Sequence, residues 1–328
     1  MSVIVAKAPL RIPLGGGGTD LPSYYREHEG FLVAGAIDRY VYILIHATFN
    51  RTFQLKYSQH EVVDSPASIQ HPIFREALTR YWDGDPIEIT SIADVPAGTG
   101  MGSSGSFTVA LLKALAQCRH VSTTPAQLAE QACEIEIDFL KEPVGKQDPY
   151  VAAHGGICAY TFHRDGGVTV EPLSLSGSTH ERLRNQMLLF YTGRTRSASS
   201  VLVNQRERSL AGDQEMIENL HRTKEMGYKS RQLLESGDLE SYAKLMNEHW
   251  QNKRNRSDGV ANEHIDHLYE TAMENGAIGA KLIGAGGGGF LLVYSAVPSL
   301  TREAMAEEAA TEQPFEFEFG GASAQGLV

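Results

Sequence analysis

Glycine and serine alternate between Pro96 and Ser106 in a pattern that could hold a phosphate group. Glycines leave backbone N–H groups accessible, and the helix that should follow adds partial positive charge at its N-terminus. Together these features form a site for an anion of phosphate size, to which two adjacent serines add hydroxyl groups. The alternative is a flexible surface loop with a serine cap. Eleven residues with alternating glycines exceed what a cap needs, so we expect a phosphate-binding loop.

Two better-known phosphate motifs do not fit this loop. A P-loop ends in glycine, lysine and serine or threonine, and no lysine follows here. Gly100, Gly102 and Gly105 match the dinucleotide-binding spacing, but no acidic residue lies about 20 positions further on. The strand–helix–strand context of that motif is also missing. We therefore reject the dinucleotide interpretation.

Two further glycine runs lie near the ends of the chain. Gly15–Gly18 is followed by Thr19 and Asp20, which suggests a tight wall against a hydroxyl-rich ligand, with Asp20 accepting hydrogen bonds. The second run, Gly284–Gly289, contains five glycines among six residues. A hairpin needs fewer, so close packing against a ligand or another loop is favoured. The substrate contacts predicted in these runs are Gly15, Gly16, Gly17, Thr19, Asp20, Gly286 and Gly287.

The hydrophobic pattern predicts the strands that position these loops. A strand at Val3–Ala6 precedes the first glycine run. Phe31–Ile37 and Tyr40–Thr48 are β-rich and separated by two polar residues, which predicts an antiparallel pair. Further strands are expected at Thr52–Tyr57 and Ile87–Ile92. The first half should therefore form a sheet.

Helices are predicted on both sides of the middle of the chain. One should begin within Ser103–Gly105 and end near Cys118. A second opens with a capping box at Thr124–Gln127 and should end near Leu140. The second half is predicted to contain strands at Met187–Tyr191 and Phe315–Phe319, helices near 213–235, 238–255, 262–275 and 299–311, and a strand–loop–strand unit at 279–295.

The chain of 328 residues is long enough for two domains that share a cleft. Composition shifts near 163–185, and we predict an N-terminal domain at 1–172 and a C-terminal domain at 173–328. Strands and helices mix without regular alternation. This mixture favours an α+β class over a doubly wound sheet.

Charge and composition exclude several classes of partner. The formal net charge is −11 and no long basic run is present, which argues against binding to nucleic acid or to an anionic membrane. Three cysteines show no metal-ligand spacing, and no apolar stretch reaches transmembrane length. We expect a soluble cytoplasmic protein. The sequence leaves open whether it forms a homodimer.

The three glycine-rich motifs, in this order and spacing, resemble those of the GHMP kinase superfamily. The central loop is similar to its Pro-x-x-x-Gly-Leu-Gly-Ser-Ser-Ala motif, with Met101 in place of leucine and Gly105 in place of alanine. The C-terminal run matches its Gly-Ala-Gly-x-Gly-Gly motif without departure. The resemblance covers essentially the whole chain. It implies an N-terminal domain like ribosomal protein S5 domain 2 and a ferredoxin-like C-terminal domain. It also implies that ATP binds at Pro96, Gly98, Gly100, Met101, Gly102, Ser103, Ser104, Gly105 and Ser106.

Within that superfamily the chain looks most like the bacterial heptose kinases. The stretches that carry this likeness are Arg11–Pro22 and Gly145–Asp148. The resemblance implies phosphorylation of the anomeric hydroxyl of D-glycero-D-manno-heptose 7-phosphate, on the way to activated heptose for surface polysaccharides. Fucose kinases are the nearest neighbours. A fucose or galactose kinase, a mevalonate-type kinase and a non-catalytic sugar or nucleotide sensor are the alternatives.

The resemblance also assigns the chemistry. Asp148 falls where the family has its catalytic aspartate, although an Asp-Pro turn is the bland alternative. Arg11 falls where relatives carry a basic residue near the transferred phosphoryl, which would stabilise developing negative charge. Glu136, with Glu134 as the competing choice, falls at the spacing of a Mg²⁺ ligand. Ser104 would complete that metal site beside the triphosphate.

The choice of acceptor depends on a second set of cations. Arg194 and Arg196 follow a strand, and guanidinium groups bind phosphate bidentately. They would suit a substrate that already carries a phosphate, although a solvated arginine pair explains them equally well. Lys146 would serve either that phosphate or the surroundings of Asp148. The predicted partners are therefore ATP and a small sugar phosphate.

Overall fold

The structure, a computed structural model, describes residues 2–195, 199–256 and 259–327. In this part of the chain the strands form two sheets. The strands are β1 (Val3–Gly16), β2 (Gly30–Ala47), β3 (Phe53–Lys56), β4 (His60–Val63), β5 (Ile87–Ala93), β6 (Ile157–Phe162), β7 (Val168–Pro172), β8 (Met187–Tyr191), β9 (Ala277–Leu282), β10 (Phe290–Ser295), β11 (Thr311–Glu312) and β12 (Ser323–Leu327). The helices are α1 (Pro22–His28), α2 (Pro72–Tyr81), α3 (Ser103–Cys118), α4 (Pro125–Cys133), α5 (Gln147–His154), α6 (Gly177–Gln186), α7 (Ser199–Leu210), α8 (Gln214–Ser236), α9 (Leu239–Arg254), α10 (Glu263–Glu274) and α11 (Pro298–Glu307).

The first sheet is built around the long strands β1 and β2. Its strand order is β12-β1-β2-β5-β3-β4, and β6 and β7 extend it from the other half of β2. All of its pairings are antiparallel except that of β3 with β5. Helix α3 packs across β1 and β2. The Arg11 N–H donates to the Met101 carbonyl oxygen over 3.1 Å, so β1 and the loop that precedes α3 are in direct contact.

The predicted hairpin between Phe31–Ile37 and Tyr40–Thr48 is wrong, because both segments belong to the single strand β2. Ile37 lies opposite Leu10 and Tyr40 lies opposite Pro9, so the two polar residues between them form a bulge. A bulge bends a strand without reversing it. The bend lets the first part of β2 pair with β6 and the last part pair with β5.

The two predicted helices of the N-terminal half are confirmed. Helix α3 begins directly after Gly102, whose φ of 79° is left-handed, and no side chain caps its first turn. The capping box at Thr124 and Gln127 opens α4. A π-helix at Glu134–Phe139 continues α4 almost to the predicted end. The uncapped first turn of α3 leaves N–H groups available for a ligand.

The second sheet is antiparallel, with the strand order β11-β8-β10-β9. Helices α8, α9, α10 and α11 lie close to the predicted ranges. The predicted last strand at Phe315–Phe319 is not formed: Phe317 makes an isolated bridge to Ile37 beside the bulge. The chain then returns to the first sheet as β12, which pairs with β1. The domain limits 1–172 and 173–328 remain a prediction.

The hydrophobic core continues from one sheet to the other. One buried cluster joins Leu10, Ile12 and Leu14 of β1 to Leu189 of β8 and Tyr242 of α9. Side chains of the first sheet therefore pack directly against strands and helices of the C-terminal half. Within the described residues, no helix is both long and apolar enough to cross a bilayer.

Candidate active site

A cavity of about 630 Å³ opens between the end of β1, the start of α3 and the C-terminal glycine run. Its wall includes Arg11, Asp20 and Asp148 from the first half of the chain, and Lys253 and Lys281 from the second half. Three buried polar atoms on this wall have no hydrogen-bond partner among the described residues: Ser103 Oγ, Gln147 Nε2 and His249 Nδ1. Buried polar groups are normally paired, so these atoms are available to bond with water or with a ligand in the cavity.

Arg11 and Asp148 form an ion pair at the centre of the cavity. Arg11 Nε donates to Asp148 Oδ1 over 2.7 Å, and Nη2 lies 2.7 Å from the same oxygen. Arg11 Nη1 donates to the carbonyl oxygen of Gly100 over 2.5 Å, which ties the pair to the central loop. Asp148 lies in the first turn of α5, and its side chain is about 30% exposed. The other carboxylate oxygen is therefore available to a substrate.

The central loop closes directly over this pair. A Cβ atom on Gly102 would lie 3.0 Å from Asp148 Cγ, and one on Gly105 would lie 2.7 Å from Asp148 Cβ. A side chain at Gly105 would require Asp148 and Pro149 to shift, and at Gly102 the left-handed φ of 79° adds backbone strain. The two glycines therefore bring the backbone of the loop against the carboxylate, as the sequence predicted for a close approach.

Asp20 lies on the side of the cavity formed by the first glycine run. Its Oδ1 accepts from the Gly18 N–H over 3.0 Å, and its Oδ2 accepts from the Gln147 N–H over 3.1 Å. Burial raises the pKa of Asp20, and the negative charge of Asp148 raises it further. Thr19 is used differently from the prediction, because its hydroxyl is bound to the backbone of Phe31 and is fully buried.

Glu136 is buried beneath the start of α3. Ser104 Oγ donates to its Oε2 over 2.5 Å, and Thr108 Oγ1 donates to its Oε1 over 2.8 Å. Burial raises the pKa of Glu136 to about 7. In the described residues no group of three or more His, Cys, Asp or Glu side chains could hold a metal ion. A cation beside Ser104 and Glu136 would therefore need oxygen atoms from a ligand as well.

The C-terminal glycine run packs against the central loop. A Cβ on Gly284 would lie 2.4 Å from Gly100 Cα, and one on Gly289 would lie 2.3 Å from the Thr99 carbonyl oxygen. Gly286 and Gly287 contact Val260 instead, and the Gly287 N–H donates to its carbonyl oxygen. The run thus supports the phosphate loop, and Gly286 and Gly287 do not line the cavity.

Other predicted substrate residues lie elsewhere. Gly16 and Gly17 line the cavity, whereas Gly15 packs against Ser230 of α8. Lys146 Nζ is 2.8 Å from Glu130 Oε1 and donates to the Gly166 carbonyl oxygen, in a neighbouring pocket. The Arg194 side chain is exposed and does not line the cavity. Arg196 lies outside the described residues.

Sequence reasoning missed a buried cationic wall. Lys253, Arg256 and Lys281 line the cavity and are each less than one tenth exposed. His249 lines it too, and its Nε2 donates to the Gly16 carbonyl oxygen over 2.7 Å. Spacings of four and three residues along α9 and its end put His249, Lys253 and Arg256 on one face, and this spacing was the available signal.

Comparison with known proteins identifies the family. The "GHMP kinases N terminal domain" model matches residues 61–156, and the "GHMP kinases C terminal" model matches residues 230–311. The chain belongs to the GHMP kinases. It is an ATP-dependent kinase with the two-domain α+β fold of that family, as the three glycine motifs predicted.

Relatives of this GHMP kinase include several sugar kinases. It is 27% identical over 308 residues to a D-glycero-alpha-D-manno-heptose 7-phosphate kinase of Campylobacter jejuni, which covers 90% of each chain. It is 27% identical over 328 residues to a galactokinase of Pyrococcus furiosus, with 88% of each chain covered. The crystal structure of a D-glycero-D-manno-heptose 1-phosphate kinase from Bacteroides thetaiotaomicron superposes with a TM-score of 0.80 at 24% identity, over 99% of each chain. The chain is thus a GHMP sugar kinase.

One end of the cavity of this GHMP kinase is apolar and was not predicted from the sequence. Tyr57, His71, Ile73 and Phe107 line it, and the His71 and Phe107 ring centroids are 5.2 Å apart. Flat apolar walls of this kind suit a nucleotide base. Phe107 lies one turn after Ser103 in α3, so this apolar end adjoins the central loop. The wall of the cavity therefore combines apolar rings, the central loop and the polar residues that include Asp148.

Proposed function

We propose that this chain transfers the γ-phosphoryl group of ATP to the C1 hydroxyl of D-glycero-D-manno-heptose 7-phosphate. The product would be the 1,7-bisphosphate, a precursor of nucleotide-activated heptose for surface polysaccharide. The relative from Campylobacter jejuni carries the name of a kinase for this substrate, and its alignment spans nearly the whole chain. A cavity with four buried cations on its wall, Arg11 included, suits an acceptor that is itself anionic.

The nucleotide fits the central loop and the apolar end. The uncapped first turn of α3 and the unpartnered Ser103 Oγ would receive the phosphates. Tyr57, Ile73 and Phe107 would hold the base. This arrangement directs the γ-phosphoryl toward Asp148, because Gly102 and Gly105 are in contact with that residue.

Magnesium fits beside the loop. Ser104 Oγ and Glu136 Oε2 are adjacent and oxygen-bearing, and Mg²⁺ takes few protein ligands when phosphates supply the rest. Bound there, the ion would neutralise charge on the triphosphate. Burial disfavours the ionised form of Glu136, and a neighbouring cation would offset that cost.

Asp148 is the base in this proposal. The acceptor hydroxyl gives its proton to the Asp148 oxygen that Arg11 does not contact. The oxygen of that hydroxyl forms the new bond to the γ-phosphorus. The bond from the γ-phosphorus to the bridging oxygen breaks, and ADP leaves with that electron pair. Arg11 fixes the carboxylate through Oδ1 and offers positive charge to the transferring group.

The Arg11–Asp148 pair against the phosphate loop is the observation that carries this proposal. Its test is ADP release with a panel of heptose 7-phosphate, heptose, galactose, fucose and mevalonate, followed by NMR of the product. We expect the highest kcat/KM for heptose 7-phosphate, with the new phosphate on C1. A preference for an unphosphorylated sugar, or a product phosphorylated at another carbon, would overturn the acceptor assignment.

A further inference from the structure

Three buried cations form a cluster on the C-terminal wall of the cavity. Lys253 belongs to α9, Arg256 follows that helix, and Lys281 belongs to β9. Their exposed fractions are 8%, 7% and 2%. We call Lys253, Arg256 and Lys281 the cationic cluster. The chemistry at Asp148 does not use them.

The hydrogen-bond partners of the cationic cluster in the described part of the chain are neutral oxygens. Lys253 Nζ donates to the carbonyl oxygens of Leu282 and Gly284. Lys281 Nζ donates to the Leu14 carbonyl oxygen over 2.9 Å. A lysine ammonium has three donors, so both lysines keep at least one for a ligand.

Arg256 likewise bonds only to neutral groups among the described residues. Its Nε, Nη1 and Nη2 donate to Asn219 Oδ1, Gln205 Oε1 and Thr223 Oγ1. These three contacts hold the guanidinium rigidly and leave two of its five N–H donors.

Burial disfavours the charged form of Lys253, Arg256 and Lys281 and lowers the pKa of each, and an anion in the cavity would offset that cost. Buried charges in proteins are paired, because desolvation of an isolated ion costs several kcal/mol. The Asp20 carboxylate acts electrostatically on Arg256, but one carboxylate can balance only one of the three charges. The whole chain carries a formal charge of −11, so this local excess of positive charge runs against its composition. An anionic ligand would remove the cost.

The cluster meets the first glycine run, which is the acceptor side of the cavity. A Cβ on Gly18 would lie 2.6 Å from Arg256 Nη1, and Gln205 Nε2 donates to the Gly18 carbonyl oxygen over 2.7 Å. The neighbouring His249 is buried, and its Nδ1 has no hydrogen-bond partner within the described ranges. Because Nε2 donates to Gly16, a neutral His249 presents Nδ1 as an acceptor for a hydroxyl group.

We propose that Lys253, Arg256 and Lys281 bind the phosphate that the acceptor already carries, and that they select a phosphorylated sugar over its unphosphorylated form. This inference rests on the proposed sugar-kinase function. It assigns the selective contact to the cluster and not to the loop at Arg194. His249 accepts a hydrogen bond from a hydroxyl of the same sugar.

The test compares Arg256→Gln and Lys253→Gln with Lys244→Gln, a matched change on the exposed face of α9. At saturating ATP, KM is measured for heptose 7-phosphate and for heptose, and Kd is measured for ATP. We expect KM for the phosphorylated sugar to rise about tenfold or more, the effect of losing one charge-assisted hydrogen bond. KM for heptose and Kd for ATP should stay within about threefold, and Arg256→Lys should recover part of the loss.

Each other outcome overturns the assignment in a distinct way. Equal rises for both sugars would indicate a merely structural role, and a rise confined to the Kd for ATP would give the cluster to the nucleotide. A rise in KM for heptose 7-phosphate in Arg194→Gln, without one in the cluster variants, would show that Arg194 binds the phosphate. A wild-type enzyme that turned over heptose but no sugar phosphate would refute the proposed acceptor itself.

A measurement on the wild-type enzyme tests the proposal even if the variants fail to fold. Inorganic phosphate, at saturating ATP, should compete with heptose 7-phosphate and should not compete with heptose. Equal inhibition of both reactions, or inhibition of neither, would contradict the proposal.

Discussion

Arg11 and Asp148 show how one contact can serve two purposes. Arg11 is nearly buried and donates both to Asp148 and to the carbonyl oxygen of Gly100. The carboxylate is therefore fixed relative to the phosphate loop before any substrate binds. A fixed base loses less freedom when the reaction begins, which is how positioning contributes to phosphoryl transfer.

Replacement of Asp148 by Asn should separate chemistry from binding. The amide keeps an oxygen for Arg11 but cannot take a proton, so kcat should fall by about 10² or more. Kd for ATP, measured by calorimetry, should change less than about threefold. The thermal midpoint should fall, because the buried Arg11 loses its carboxylate partner. Asp83→Asn, at an exposed ion pair, is the control. A kcat within a few-fold of wild type would remove Asp148 as the base.

Lys281 should make the stability of the ligand-free enzyme depend on pH. Burial lowers the pKa of Lys281 from 10.5 to about 7 in the folded state. Between these values the unfolded chain binds more protons than the folded chain, so the free energy of unfolding from this group rises with pH. Below pH 7 both states are protonated and the destabilisation is complete.

The measurement is urea unfolding of wild type and Lys281→Met from about pH 6.5 to about pH 9.5. The free energy of unfolding of wild type, minus that of the variant, should increase by roughly 3 kcal/mol across that interval, from 1.36 kcal/mol per pKa unit. Lys244→Met, at a lysine that is 62% exposed, should show no such trend. A difference between wild type and Lys281→Met that is flat with pH would show that the folded-state pKa of Lys281 is ordinary.

At the scale of elements, two glycine loops from opposite halves of the chain meet backbone to backbone. Gly284 has a φ of 73°, and its Cβ would lie 2.4 Å from Gly100 Cα. Gly284→Ala should therefore push the phosphate loop out of place and raise KM for ATP about tenfold or more, with a lower thermal midpoint. Gly212→Ala has the same left-handed strain, with φ 71°, but open space around it. An equal effect in both variants would mean that backbone strain, and not the clash, is responsible.

Elements with strong local signals were predictable. The capping box at Thr124 and the glycine before Ser103 set the starts of α4 and α3, because caps act over a few residues. The bulge in β2 was not predictable, since two polar residues suit a turn or a bulge equally well. What distinguishes the two is pairing with β1, a contact distant in sequence.

The site divides in the same way. Arg11, Asp20, Ser104, Glu136 and Asp148 were named from motifs, and the fold brings them to one cavity or its edge. Lys253 and Arg256 were missed because they lie in or just after a helix without a motif, where such residues are usually solvated. Only the packing of α9 against β9 shows that they are buried.

At the scale of the whole molecule, the two sheets share one core. The cluster that contains Leu10 and Leu14 of β1 also contains Tyr242 and Leu292 of the C-terminal half. Strand β12 pairs with β1, so the first and the last strand that the structure describes both belong to the first sheet. Because the two walls of the cleft share this core, we expect the two halves of the chain to unfold together.

The two tryptophans of the chain can test this cooperativity, because they lie in different halves. Trp82 follows α2 beside the first sheet, and Trp250 is fully buried in α9. In Trp250→Phe the fluorescence reports only the first half, and in Trp82→Phe it reports only the second half. In the part of the chain that the structure describes, the Trp250 Nε1 has no hydrogen-bond partner, so phenylalanine there removes no bond seen in it.

For each variant, we expect the fluorescence transition to coincide with that variant's own circular dichroism transition within about 2 °C, as a single cooperative unit requires. ATP and Mg²⁺ should raise both midpoints of a variant together, because a ligand that binds only the folded state stabilises the whole cooperative unit. Fluorescence from one half that melts well below the circular dichroism transition would show that the halves unfold separately. In that case the shared core would contribute less to stability than the contacts within each sheet.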